Sequence, residues 1–299
     1  MAEQTASETK TAGTSQARER LIGIVLVVLS SSIFGCVDGF SKLLADTASV
    51  GQIVWARYAL ALPILIAATG LSKLPTLFAT RRPALQISRG LTPLLISVSM
   101  VLAVRHLPLS EATVILFAAP FLVVALSVPF LSEKVHISHW IAVAVGFAAV
   151  LVVARPGYSE LSHFAIFPMV GAIFYAVMQL VTRKVAASGE RAETTLAWTL
   201  LTGIVLSSPA AIYFWEPLDG RRWALMIALG TVFGIAQLLM IRGFARAPAA
   251  LLTPLSYVQI VSAVIFSIVV FKEVPDIWTL LGIVMIIGSG LYVVRQRKG

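Results

Sequence analysis

The stretch His106–Glu133 reads HLPLSEATVILFAAPFLVVALSVPFLSE, and 140 residues further on Arg246–Glu273 reads RAPAALLTPLSYVQIVSAVIFSIVVFKE. Each has a Pro two residues in (Pro108, Pro248), a Thr five further on (Thr113, Thr253), an apolar span and a closing Glu (Glu133, Glu273). The register needs no gap and continues to Arg155 and Arg295, with nine identities over 50 aligned pairs. Two apolar spans match easily by chance, so the shared length and punctuation, more than the identities, mark an internal repeat.

Working outward, the 299 residues are 58% hydrophobic and only 12% charged. A soluble domain carries about 25% charged residues, so water is not the solvent for most of this surface. Apolar runs of roughly 20 residues, each long enough to cross a bilayer, recur at about 21–44, 50–71, 86–104, 109–131, 139–155, 161–182, 194–215, 223–244, 249–271 and 277–294. The sequence therefore predicts an all-α integral membrane protein with ten transmembrane helices. The 140-residue register divides it into repeats at 21–155 and 161–295, with Arg155-Pro156-Gly157-Tyr158 opening the hinge between them. Five spans per repeat is an odd number, so the second repeat enters from the opposite side and the two are inverted. Such pairs form secondary transporters whose substrate site lies near the midplane between the repeats.

The net charge is +9, and its placement is topological. With the N-terminus cytoplasmic, sixteen Lys/Arg fall on the inside and six on the outside, with Arg57 left within a span. That satisfies the positive-inside rule and argues against nucleic acid as a partner. It predicts a multi-pass protein of the bacterial inner membrane with both termini cytoplasmic, its partners being the lipid bilayer and a small-molecule substrate; a monomer and a homodimer both stay open. Residues 1–20 are polar and unpatterned and read as a disordered cytoplasmic tail.

Asp38 and Arg57 are equidistant from the middle of the loop between spans 1 and 2, so in an antiparallel hairpin they sit at equal depth, about 8–10 Å below the outer surface. We expect them to face each other as an ion pair, either bracing the hairpin or binding substrate and coupling protons. Asp38 is the only acid well inside a span, which makes it the coupling candidate. Lys42, one turn beyond, is expected to snorkel outward. Arg105 and Glu111 are expected to pair about Pro108, and Glu133 and Glu273 to cap equivalent spans. Ser31, Gly35 and Gly39, and Gly230 with Gly234, form small-residue stripes suited to close helix packing. Pro120, near mid-span, is expected to bend span 4 and free a carbonyl. Rings and amides within the spans supply a candidate substrate lining: Phe34 and its repeat equivalent Phe174, Phe117 and its equivalent Tyr257, and Gln179, Gln237 and Gln259.

Cys36 is the single cysteine, so no intramolecular disulfide forms. The chain has no G-x-x-x-x-G-K-[ST] phosphate loop, no G-x-S-x-G, no H-E-x-x-H and no Cys–His arrangement, so no cofactor, metal or catalytic residue is expected and an enzyme is disfavoured. A non-transporting scaffold or sensor subunit is the rival reading, and an integral membrane enzyme a more distant one.

These residues resemble a family. DGFSKLLADTASVGQIVWARY (38–58), VRHLPLSEATVILFAAPFLVVALSVPFLSEKV (104–135) with GFAAVLVVARPG (146–157), and GFARAPAALLTPLSYVQIVSAVIFSIVVFKEV (243–274) look like the signatures of the EamA-like branch of the drug/metabolite transporter superfamily. The resemblance covers about 21–295. It implies a ten-helix carrier of a small organic metabolite (an amino acid, S-adenosylmethionine, riboflavin or similar) working by alternating access. It also implies a central cavity lined by spans 1, 3, 4, 6, 8 and 9. One departure stands out: Pro120 has no partner, because Ile260 holds the equivalent place.

Overall fold

A computed structural model describes residues 2–131, 137–155, 160–246 and 252–296. Glu133, His136, Pro248 and the Pro156–Tyr158 hinge lie outside the described residues. All regular structure among the described residues is helical: α1 (Ala2–Ala45), α2 (Val50–Ala59), α3 (Leu62–Thr69), α4 (Leu74–Leu77), α5 (Pro83–His106), α6 (Leu109–Leu116), α7 (Ala119–Leu131), α8 (Ile137–Ala154), α9 (Ile166–Ala187), α10 (Ala192–Tyr213), α11 (Gly220–Phe244), α12 (Val258–Phe266) and α13 (Ile277–Gln296). Among those residues seven helices are long and apolar enough to cross a membrane, and Trp140–Ala154, Leu255–Phe271 and Ile277–Tyr292 are shorter apolar helices. Together these make a multi-pass membrane protein. Within the polar 1–20 stretch, expected as a disordered tail, the described residues 2–20 are continuous with α1 as helix. Its Ala, Glu, Gln, Lys and Arg are helix formers, and it contains no Pro.

Local chemistry sets the boundaries. Ser49 and Gln52 form a reciprocal capping box at the start of α2. Asp219 caps α11 by accepting from the Arg222 backbone N–H at 2.8 Å, and Asp276 caps α13 by accepting from that of Thr279 at 2.9 Å. The apolar run 109–131 is broken between α6 and α7 at Phe117–Ala118, just before Pro120. The run 253–271 opens as a 3-10 turn, Thr253–Tyr257, that contains Pro254 and gives way to α12. Phe117 and Tyr257 are equivalent in the 140-residue register, so both halves break at one place although their prolines sit at different positions.

One apolar core gathers α1, α2, α3, α5, α10 and α11, with Val37, Ile53, Leu65, Val101, Leu200 and Phe233 at its centre. A second gathers α6, α7, α8, α12 and α13 around Ile115, Phe121, Val150, Tyr257, Ile260 and Ile286. Each core draws on both sequence halves. The cores meet where α1 packs on α12 and where a third apolar cluster, with Met100, Val104, Leu109, Leu116 and Ala263, joins α5 to α6 and α12. α9 packs on α5, α6 and α7. Small residues allow the approach. A Cβ added at Gly35 would lie 2.8 Å from the Ala263 backbone nitrogen, and one at Gly39 would collide with the Phe266 ring. Gly230 and Gly234 face α2 and α3 in the same way, so both stripes are packing surfaces.

Candidate functional site

Asp38 and Arg57 face each other across the α1–α2 hairpin, with Arg57 Nη2 3.4 Å from Asp38 Oδ1. Both are buried, at 6% and 5% exposure. Arg57 Nη2 also donates to Ser41 Oγ at 2.6 Å, and Nη1 donates to Ser97 Oγ on α5 at 3.2 Å. The Tyr58 hydroxyl shares a hydrogen bond with Ser97 Oγ at 3.0 Å. Gln259 on α12 donates from Nε2 to Asp38 Oδ2 at 3.2 Å. The guanidinium lies 5.7 Å from the Phe233 ring centroid, and Phe233 in turn packs edge-on against Phe34 and Tyr58. A buried ion pair persists only where further hydrogen bonds satisfy both charges; here two serines, an amide and a ring do so. Among the described residues, Arg57 Nε and, about two turns along α1 from Asp38, Ser31 Oγ are buried without a hydrogen-bond partner.

The cluster straddles the boundary between the cores: Asp38 and Arg57 belong to helices of the first, Gln259 to a helix of the second. It brings together three of the residues singled out from the sequence, with Phe34 joined through Phe233. Phe117 and Tyr257 lie elsewhere, ring against ring at 5.7 Å inside the second core, because the shared break turns both inward against α8 and α13. Phe174, Gln179, Gln237 and Pro120 are half-buried, and Gln179 is hydrogen-bonded to Tyr175 on its own helix. Ser41, Ser97 and Phe233 were not legible as site residues; only the i, i+3 spacing of Ser41 from Asp38 hinted at one of them.

Three sequence expectations need correction. Lys42 does not snorkel. Its Nζ lies 2.6 Å from both carboxylate oxygens of Glu273 and 4.8 Å from the Phe271 ring centroid, and it reaches the Leu107 carbonyl at 3.4 Å. Glu273 is therefore half of an ion pair between the two cores, held also by Ser267 Oγ at 3.2 Å. A left-handed Lys272 (φ 59°) turns it back toward α1. Arg105 donates to the Ala48 carbonyl at 2.6 Å, and among the described residues no ion pair joins it to Glu111. A buried backbone acceptor at the loop end offers Arg105 a partner that span arithmetic does not reveal. Arg155 pairs with Asp276 at 2.5 Å, and Gln52 Nε2 donates to the Glu216 carbonyl at 2.8 Å, so charge and hydrogen bonds cross this end. A cavity of about 490 Å³ opens nearby, away from Asp38, between α2, α5 and α10. Among the described residues no three His, Cys, Asp or Glu converge to hold a metal ion.

The EamA-like transporter family model matches residues 21–155 and 164–295. The chain belongs to the EamA-like transporter family. It is 26% identical over 281 residues to the pseudopaline exporter CntI of Pseudomonas aeruginosa, which covers 93% of this chain and 97% of that protein. It is 26% identical to the S-adenosylmethionine uptake transporter of Rickettsia felis, covering 93% and 94%. A riboflavin transporter of Rhizobium johnstonii matches at 26% over 192 residues, 64% of this chain and 63% of that one. A solved crystal structure superposes with a TM-score of 0.66 at 20% identity, covering 94% of this chain and 99% of the other, and so shares the fold. The relatives are named as transporters, not enzymes.

Proposed function

We propose that this EamA-like protein is a secondary carrier that moves a small organic metabolite across the bacterial inner membrane by alternating access. The observation that carries the reading is the Asp38–Arg57–Gln259 cluster, a charge pair buried where two apolar cores meet. A site at such a boundary feels any rocking of one core against the other. Ten spans in two inverted five-span repeats fit the packing. The register exchanges α1 on α11 for α9 on α5, α1 on α12 for α9 on α6 and α7, and α5 on α10 for α11 on α2, while α2–α10 and α8–α13 map onto themselves. Two conformations related by that exchange have similar energy, as alternating access requires. The charge distribution supports cytoplasmic termini, which makes the Lys42–Glu273 end the outer one. Relatives named for S-adenosylmethionine, riboflavin and pseudopaline support a metabolite as substrate, with amino acids in the same range. Asp38, the one acid well inside a span, is the coupling group of this reading.

The close packing around Asp38 and Arg57 favours a second reading, a non-transporting scaffold or sensor subunit. Thermal unfolding of the detergent-purified protein with amino acids, S-adenosylmethionine, riboflavin and nucleosides separates the two. A substrate at 100 times its dissociation constant adds about 2.7 kcal/mol of stability if it binds only the folded protein. The carrier reading expects such a shift from one compound class, reduced in Asp38→Asn. No shift from any class favours the scaffold.

A further inference from the structure

Arg89 lies six residues into α5 from Pro83, about 9 Å along the helix, at the end opposite the Lys42–Glu273 pair. Counted from sequence it is one more inside-facing positive charge. In the structure it points between helices, where α5 of the first half meets α9 and α10 of the second. Its Nε donates to Thr182 Oγ1 at 3.3 Å and its Nη1 to Thr199 Oγ1 at 2.6 Å. Both hydroxyl protons are already committed: Thr182 donates to the Met178 carbonyl at 2.6 Å and Thr199 to the Thr195 carbonyl at 2.7 Å. The two threonines can therefore only accept from Arg89. They hold the guanidinium at Nε and Nη1 and leave Nη2 without a hydrogen-bond partner among the described residues. The phenols of Tyr58 and Tyr175 lie near enough to feel its charge.

The charge itself is the unexplained part. Asp38 cancels Arg57, but among the described residues no carboxylate pairs with Arg89, so its charge is uncompensated where three helices meet. A charge held between membrane-spanning helices without a counter-charge is costly. A brace between three helices has no use for it, since a neutral amide at position 89 could donate to the same threonines. A half-buried guanidinium pinned at Nε and Nη1, with Nη2 open, still has charged donors to offer an oxyanion. Ser97, which anchors Arg57, lies eight residues further along α5, about 12 Å away.

We propose that Arg89, positioned by Thr182 and Thr199, binds the anionic group of the substrate, a carboxylate or phosphate, with the rest of the molecule extending toward Asp38 and Arg57. The proposal rests on the carrier reading and narrows it to organic anions and zwitterions. The test is thermal unfolding of the detergent-purified full chain, at matched ionic strength, with succinate, citrate, glycerol 3-phosphate and the neutral analogues succinamide and glycerol. The expected result is stabilisation by the carboxylates or by the phosphate ester, whichever group the site takes, and none by the neutral analogues. Arg89→Gln should weaken the apparent affinity about tenfold or more, with Arg89→Lys between the two. If Arg89→Gln gives no cooperative transition, Arg89→Lys and the anion-to-neutral comparison in the unmodified protein carry the test. No stabilisation by any of the three anions overturns the proposal, as does an anion effect undiminished by either substitution. A metabolite from the broader panel that stabilises Arg89→Gln as well as the parent also removes Arg89 from the site while leaving the carrier reading intact.

Discussion

At the scale of single residues, the Asp38–Arg57 pair is held by more than its own attraction. Removing one partner of a buried pair leaves the other charge uncompensated, at a cost of about 3–5 kcal/mol. Asp38→Asn and Arg57→Gln should each lower the thermal unfolding midpoint, and the double substitution should lower it by less than the two losses combined. Additive losses would mean that the charges do not depend on each other. The pairing was legible because both residues lie at equal distance from one short loop. Gln259 and Glu273 were not legible as the partners of Asp38 and Lys42, because they stand 221 and 231 residues away along the chain. The partners of Arg89 were hidden for a related reason: hydropathy puts it near a span end, and only tertiary packing brings Thr182 and Thr199 to its side.

At the scale of helices, close approach does what apolar burial cannot do in lipid, where tails are as apolar as the side chains. Gly35 tests this directly, because an added side chain meets Ser262 and the Ala263 backbone. Gly35→Val should cost about 1–3 kcal/mol through overpacking. Gly288→Ala, with nothing within 4 Å of the added carbon, should be neutral or gain up to about 1 kcal/mol from helix propensity. Thermal unfolding of the two variants side by side checks the contrast, and equal effects would contradict the packing account. The stripes on spans 1 and 8 were readable from their spacing of four. The break in the second half was not, because Ile260 replaces Pro120 there. The register nevertheless places both breaks at equivalent residues, Phe117 and Tyr257, using Pro254 in the second half where the first uses Pro120.

At the scale of the whole molecule, the repeat visible in the sequence is not the division visible in the packing. The halves 21–155 and 161–295 interleave, so that each apolar core contains helices from both, and the boundary between cores crosses the repeat boundary. A 140-residue register reveals which helices are equivalent; it does not say which of them touch. That boundary carries Gln259 on Asp38 near its middle and Lys42 on Glu273 at one end, the contacts that a rocking motion must break and remake. The chemistry is one-sided, since Met178 and Ala197 stand where the register would repeat Asp38 and Arg57. The most direct test is counterflow in proteoliposomes made with the purified chain, loaded with each unlabelled metabolite of the panel and supplied outside with its radiolabelled form. The account predicts transient, saturable accumulation of one class above protein-free liposomes, lost in Asp38→Asn. Failure of the unmodified protein to accumulate any of them, in liposomes shown to contain folded protein, would contradict it.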